Sequence, residues 1–137
     1  MERRDFFKSA CALCGLALIP TALVESCTKQ NYSGPSNVNF TLDLTQSANA
    51  ALNSVGGAVI ANGVIIIRAS GSTFDALSAT CTHQGCTVGY NSSSQEIVCP
   101  CHGGTYNLSG KVLGGPPPSA LTTYTATLSG NILTVKS

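Results

Sequence analysis

Seven cysteines stand at positions 11, 14, 27, 81, 86, 99 and 101, and the only two histidines are His83 and His102. Four of the cysteines and both histidines therefore fall within residues 81–102. A chain that places both its imidazoles inside one cysteine cluster points to a metal centre before a purely disulfide framework. Two boxes carry the residues: Cys81-Thr82-His83-Gln84-Gly85-Cys86 and Cys99-Pro100-Cys101-His102-Gly103. Each offers one Cys and one His, as C-x-H in the first and C-x-x-H in the second, with fifteen residues between His83 and Cys99.

Two Cys and two His suit tetrahedral zinc, and spacing alone does not exclude it, although structural zinc sites typically pair C-x2-4-C with H-x3-5-H. The same four side chains suit a [2Fe–2S] cluster in which two thiolates hold one iron and two imidazoles the other. Mixed boxes favour that arrangement, because each loop then reaches both irons. Neutral imidazoles make such a cluster less negative, so its reduced state costs less and its potential rises. An oxygenase would need a further iron on two histidines and a carboxylate. With His83 and His102 committed, no histidine remains for it, so the chain reads as an electron carrier without a substrate site of its own.

Through C-T-H-x-G-C and C-P-C-H-G, the chain resembles the high-potential Rieske iron–sulfur proteins, in particular the subunits of cytochrome bc and b6f complexes. The resemblance implies one [2Fe–2S] cluster per chain on Cys81, His83, Cys99 and His102. It also implies a disulfide between Cys86 and Cys101 that ties the two loops together. Tyr106 stands where the family has a Tyr that donates to a ligand sulfur. Gly104 stands where high-potential members have a Ser that donates to a bridging sulfide. A hydrogen bond to a charged acceptor is worth about 1.5–3 kcal/mol, and about 1.4 kcal/mol corresponds to roughly 59 mV for one electron. Gly104 is therefore expected to lower the potential by roughly 60–130 mV against a Ser-bearing cluster. Even so, the expected potential lies in the middle to upper part of the roughly −150 to +300 mV Rieske range. Gln84 replaces the apolar tip residue common in bc-type subunits, which weakens the case for docking on cytochrome b. Gly115-Pro116-Pro117-Pro118 resembles the family's proline loop.

The elements that must position these residues read as β. Val38, Phe40, Leu42 and Leu44 alternate with polar residues at a period of two. Two apolar runs flank Asn62-Gly63, a favoured hairpin turn. Phe74 to Ala79 leads into Cys81, and two further strands flank Ser129-Gly130-Asn131. After residue 37 only Gln46 to Leu52 offers a helix, of two turns at most. The expected fold is all-β, a small antiparallel sandwich over residues 38–137 with an inserted cluster-binding lobe at about 80–118. That lobe is rich in Gly and Pro, and crosslinks are the usual means of fixing such a segment.

Residues 1–27 read as an export address. Arg3-Arg4 before Phe6 and Lys8 resembles a twin-arginine signal, and the apolar run from about Ala10 to Val24 has the length of a signal's hydrophobic region. Cys11 and Cys14 are small residues of that signal. Leu23-Val24-Glu25-Ser26-Cys27 resembles a lipobox, which makes Cys27 the candidate for lipidation; an uncleaved anchor helix is the alternative. Residues 28–37 read as a flexible tether. A net charge of +1 and 9% charged residues argue against a nucleic-acid partner. The expected setting is membrane attachment on the periplasmic side. The redox partners would be a cytochrome b or c, with quinol at a shared site, or a molybdenum subunit as in arsenite-oxidase-like enzymes. A stand-alone lipoprotein carrier is the remaining option.

Overall fold

The computed structural model describes residues 32–117 and 119–137. Cys11, Cys14, Cys27, the twin-arginine pair and Pro118 lie outside the described residues. Ten strands follow in chain order: β1 Asn39–Asp43, β2 Ala58–Ala61, β3 Val64–Arg68, β4 Phe74–Ser78, β5 Gly89–Asn91, β6 Glu96–Val98, β7 Thr105–Tyr106, β8 Val112–Gly114, β9 Thr123–Ser129 and β10 Ile132–Lys136. A 3-10 helix, Ser47–Asn53, joins β1 to β2. The fold is all-β.

Six strands form the base in the order β1-β10-β9-β4-β3-β2, and the other four form a second sheet in the order β5-β6-β7-β8. Every pairing is antiparallel. The β2–β3 turn places Asn62 and Gly63 at φ 52° and 77°. A two-residue hairpin turn with both central residues at positive φ matches the right-handed twist of its strands, and Asn-Gly supplies that at least cost.

Strand β3 is a continuous apolar run, as a strand covered on both faces should be. Val64 and Ile66 point into the base core with Leu44, Leu52, Phe74, Ala76, Leu133 and Val135. Ile65 and Ile67 point the other way, into a second core with Leu77, Cys81, Val88, Ile97, Cys99 and Tyr106. The second core is the underside of the lobe, so burial of apolar area couples the lobe to the base.

Two features differ from the sequence expectation. The lobe is not held by crosslinks alone, because β5 to β8 give it a sheet. Strands of two or three residues are too short to show a period. Residues 32–37, expected to belong to the tether, lie along the base. The Tyr124 hydroxyl donates to the Pro35 carbonyl at 2.7 Å, and the Ser137 N–H donates to the Val38 carbonyl at 3.0 Å. A Cβ on Gly34 would stand 2.4 Å from Ser78 Cβ and 2.6 Å from the Tyr124 oxygen, so this stretch is seated where a side chain has no room.

Candidate metal centre

The two boxes fold into loops with the same backbone pattern. The Cys81 N–H donates to the Cys86 carbonyl at 2.8 Å, and the Gly85 N–H donates back to the Cys81 carbonyl at 2.9 Å. In the second loop Cys99 bonds to Gly104 at 2.8 Å and Gly103 to Cys99 at 2.9 Å, with the same offsets of five and four residues. The closing glycines, Gly85 and Gly103, have φ 75° and 71°, a left-handed conformation that only Gly adopts freely. Cys81 and Cys99 thus occupy equivalent positions at the foot of their loops. His83 takes the second place after its Cys and His102 the third, which is why the two boxes differ by one residue in spacing.

Cys81 and Cys99 are free thiols, both buried, and face each other within hydrogen-bonding reach. Burial pushes the Cys81 thiol up. The Tyr106 hydroxyl, the backbone N–H groups of His83 and Gln84 and the Cys99 thiol outweigh that and hold it below the ordinary thiol value. Cys99 is held above the ordinary value, first by burial and then by Cys81, although the N–H groups of Cys101 and His102 oppose this. Each sulfur therefore meets two backbone donors from its own loop. Such donors stabilise a thiolate, whether free or bound to metal.

The His83 and His102 rings stand edge to face, with centroids 4.8 Å apart. His83 Nδ1 is buried and has no hydrogen-bond partner, alone among the buried side-chain polar atoms of the described residues. A buried, unpaired ring nitrogen costs free energy unless something fills its lone pair. His102 and Gln84 are exposed beside it.

Cys86 and Cys101 form a disulfide across a separation of 15 residues. The Cys99 sulfur lies within 4.8 Å of both bridged sulfurs. With two of the three bonded to each other, that trio is a crosslink beside a thiol and not a three-sulfur metal site.

The Tyr106 hydroxyl lies 3.4 Å from Cys81 Sγ. It also accepts from the Thr82 N–H at 3.2 Å and stands 3.0 Å from Thr82 Oγ1. The Thr82 hydroxyl donates to the Ser119 carbonyl at 2.7 Å, so its own hydrogen is spent. Tyr106 is then the donor in the Tyr106–Thr82 contact, and its single proton is shared between the Cys81 sulfur and Thr82. Sequence reasoning singled out Tyr106 and passed over Thr82, which carries no signal beyond its place between Cys81 and His83. Gly104 is buried. A Cβ there would stand 2.5 Å from Pro117 Cγ and 2.6 Å from Cδ. The proline loop fills the space that a side chain at 104 would need.

The pattern of the Rieske [2Fe-2S] domain matches residues 41–125. The chain belongs to the Rieske [2Fe–2S] family. It is 37% identical over 71 residues to the cytochrome b6-f complex iron-sulfur subunit of Chlorobaculum thiosulfatiphilum, covering 52% of this chain and 39% of that one. With the same subunit of Microcystis aeruginosa it shares 46% identity over 55 residues, covering 40% and 31%. The chain thus spans well under half the length of these curated relatives. Among solved structures, the cyanobacterial plasma membrane Rieske protein PetC3 from Synechocystis PCC 6803 is similar at a TM-score of 0.50 and 40% identity, over 54% of this chain and 76% of that one. The ferredoxin of carbazole 1,9a-dioxygenase from Nocardioides aromaticivorans IC177 shares the fold, at a TM-score of 0.55 and 23% identity, over 74% and 98% of the two chains.

The cofactor of a Rieske domain is a [2Fe–2S] cluster, and this site fits one. Two buried free thiols, an unpartnered buried imidazole nitrogen and an adjacent second imidazole give two sulfur and two nitrogen donors at one end of a small β fold. Among the described residues no helix is long and apolar enough to cross a membrane.

Proposed function

We propose that this Rieske protein is a one-electron carrier whose cluster is held by the thiolates of Cys81 and Cys99 and the imidazoles of His83 and His102. The observation that carries the assignment is His83 Nδ1, a buried nitrogen without a partner beside two free buried thiols. When bound, the cluster takes up one electron and gives it back. The chain's part is to hold, shield and bias it. Backbone N–H groups of both loops and the Tyr106 hydroxyl direct positive dipole ends at the sulfurs, which favours added negative charge. Exposed His102 leaves a ring nitrogen at the surface, where a partner can reach it. The Cys86–Cys101 bridge ties the loops, and the proline loop closes a third side.

The setting that best accounts for the chain is the iron–sulfur subunit of a membrane quinol-oxidising complex, exported by its Arg3-Arg4 signal and attached on the periplasmic side. Support comes from the b6-f subunits it matches, over only part of their lengths. The second reading is a stand-alone carrier lipidated at Cys27, and Gln84, exposed at the tip, favours it. A simple test separates this reading from a zinc module. After competent cluster loading, the anaerobic protein should be coloured and give a [2Fe–2S] EPR signal on reduction. A colourless, iron-free protein overturns the reading. Co-purification of the native protein from membranes with a cytochrome b, a molybdenum subunit or neither separates the settings.

A further inference from the structure

The segment seated along the base does more than lead into β1. Its first described residue, Tyr32, reaches the first cluster loop. A Cβ built on Gly85 would lie 2.6 Å from Tyr32 Cδ1 and 2.8 Å from Cε1, so the ring lies directly against the glycine. Gly85 is the residue whose N–H closes the loop onto the Cys81 carbonyl at 2.9 Å. It is also separated from His83 by Gln84 alone. The rest of the segment holds Tyr32 in place. Gly34 is fitted against Ser78 and Tyr124, Pro35 accepts from the Tyr124 hydroxyl, and the Pro35 ring approaches Gly63 with Cγ 3.4 Å from where its Cβ would be. Val38 anchors the far end in the base core.

We infer that Tyr32 is a positioning residue for the cluster, acting through Gly85 on the His83 loop, and that residues 32–38 are the strap that keeps it there. This rests on the ligand assignment above. Gly85 is then required twice over, once for its φ of 75° and once because any side chain would displace the ring. The second loop has the same turn at Gly103, but a Cβ on Gly103 would meet nothing within 4 Å. The two loops with matching backbones are packed by different segments: Tyr32 lies against Gly85 in the first, and Gly115 and Pro117 of the proline loop lie against Gly103 and Gly104 in the second. His83, on the loop that Tyr32 touches, has the buried nitrogen, and His102, on the other, is exposed.

The test uses the full chain with cluster loaded, as native protein, Tyr32→Ala, Tyr32→Phe and Tyr124→Phe. The readouts are amide exchange at Gly85 and Gly103, the EPR line shape of the reduced form and the reduction potential. An aromatic packing contact of this kind protects a loop amide by roughly two- to twelvefold. Tyr32→Ala should speed exchange at Gly85 by that factor, leave Gly103 unchanged, and broaden the EPR lines with a shifted potential. Tyr32→Phe should restore all three. Tyr124→Phe, which frees Pro35 and leaves the ring itself intact, should give a smaller change of the same pattern. Native exchange at Gly85 in Tyr32→Ala overturns the inference. So does faster exchange with an unchanged spectrum and potential, since the contact would then serve folding alone. If native protein takes up no cluster, the ligand assignment fails instead, and that failure shows in the spectrum before any variant is compared.

Discussion

Restoring a serine at position 104 tests both the electrostatics and the packing of the site. On electrostatics alone, a hydroxyl donating to the cluster would raise the potential by roughly 60–130 mV, the equivalent of about 1.5–3 kcal/mol for one electron. The structure adds an opposing effect. The new Cβ would stand 2.5 Å and 2.6 Å from Pro117 Cγ and Cδ, and carbon atoms need about 3.5 Å or more. The proline ring must therefore retreat by about 1 Å, and forcing atoms into a packed site costs about 1–3 kcal/mol. Gly104→Ser alone is expected to destabilise the oxidised protein by that amount and to gain less than about 60 mV, because the clash shifts residue 104 and misaligns its hydroxyl, and hydrogen bonds weaken steeply off axis. Gly104→Ser with Pro117→Ala removes the two clashing atoms and should recover most of the gain. Gly104→Ala should destabilise without raising the potential. Thermal unfolding and EPR-monitored redox titration of the three variants measure both effects. A full rise in the single Ser variant with no loss of stability refutes the packing argument. No rise in the double variant refutes the hydrogen-bond argument.

Other outcomes follow from neighbouring contacts. Tyr106→Phe removes the shared proton from the Cys81 sulfur and should lower the potential, by about 60 mV or less because Thr82 already takes part of it; redox titration measures the drop. Thr82→Val frees that proton for the sulfur, so its potential should not fall while that of Tyr106→Phe does. Replacing Cys86 and Cys101 together by Ala removes a crosslink whose 15-residue closure stabilises by about 3 kcal/mol, and should speed cluster loss, seen as faster bleaching of visible absorbance. Burial holds the Asp75 carboxyl above its ordinary value of 3.8. The folded chain then binds that proton more readily than the unfolded one, so Asp75 costs stability when ionised and the cost is relieved as pH falls through its raised pKa. Asp75→Asn should flatten that part of the stability–pH curve and be slightly more stable at neutral pH in denaturant titrations.

The base was legible in the sequence because its signals are local. Val38 to Leu44 alternate, Asn62-Gly63 is a turn by composition, and Val64 to Ile67 are apolar without a break, as a strand covered on both sides must be. The candidate ligands stood out because His83 and His102 have no competitors elsewhere in the chain, and the fold brings their rings together. What escaped depends on contacts distant in sequence. Nothing in Tyr32-Ser33-Gly34-Pro35 announces that Tyr124 will hold it, for a polar Gly-Pro stretch looks the same whether tethered or free. Gly104 read as a missing donor, and only the position of Pro117 shows that its space is taken. Strands β5 to β8 are too short to carry a pattern. The matched hydrogen bonding of the two loops was hidden by the different offsets of their histidines.

The double-sided burial of β3 bears on speed as well as on stability. One strand is the common wall of two interiors, so the shell around the irons inherits the stiffness of the larger half of the molecule. Surroundings that barely rearrange when charge arrives keep the reorganisation barrier low in both directions. The proposed relay, which must accept and surrender the same electron, gains from that symmetry.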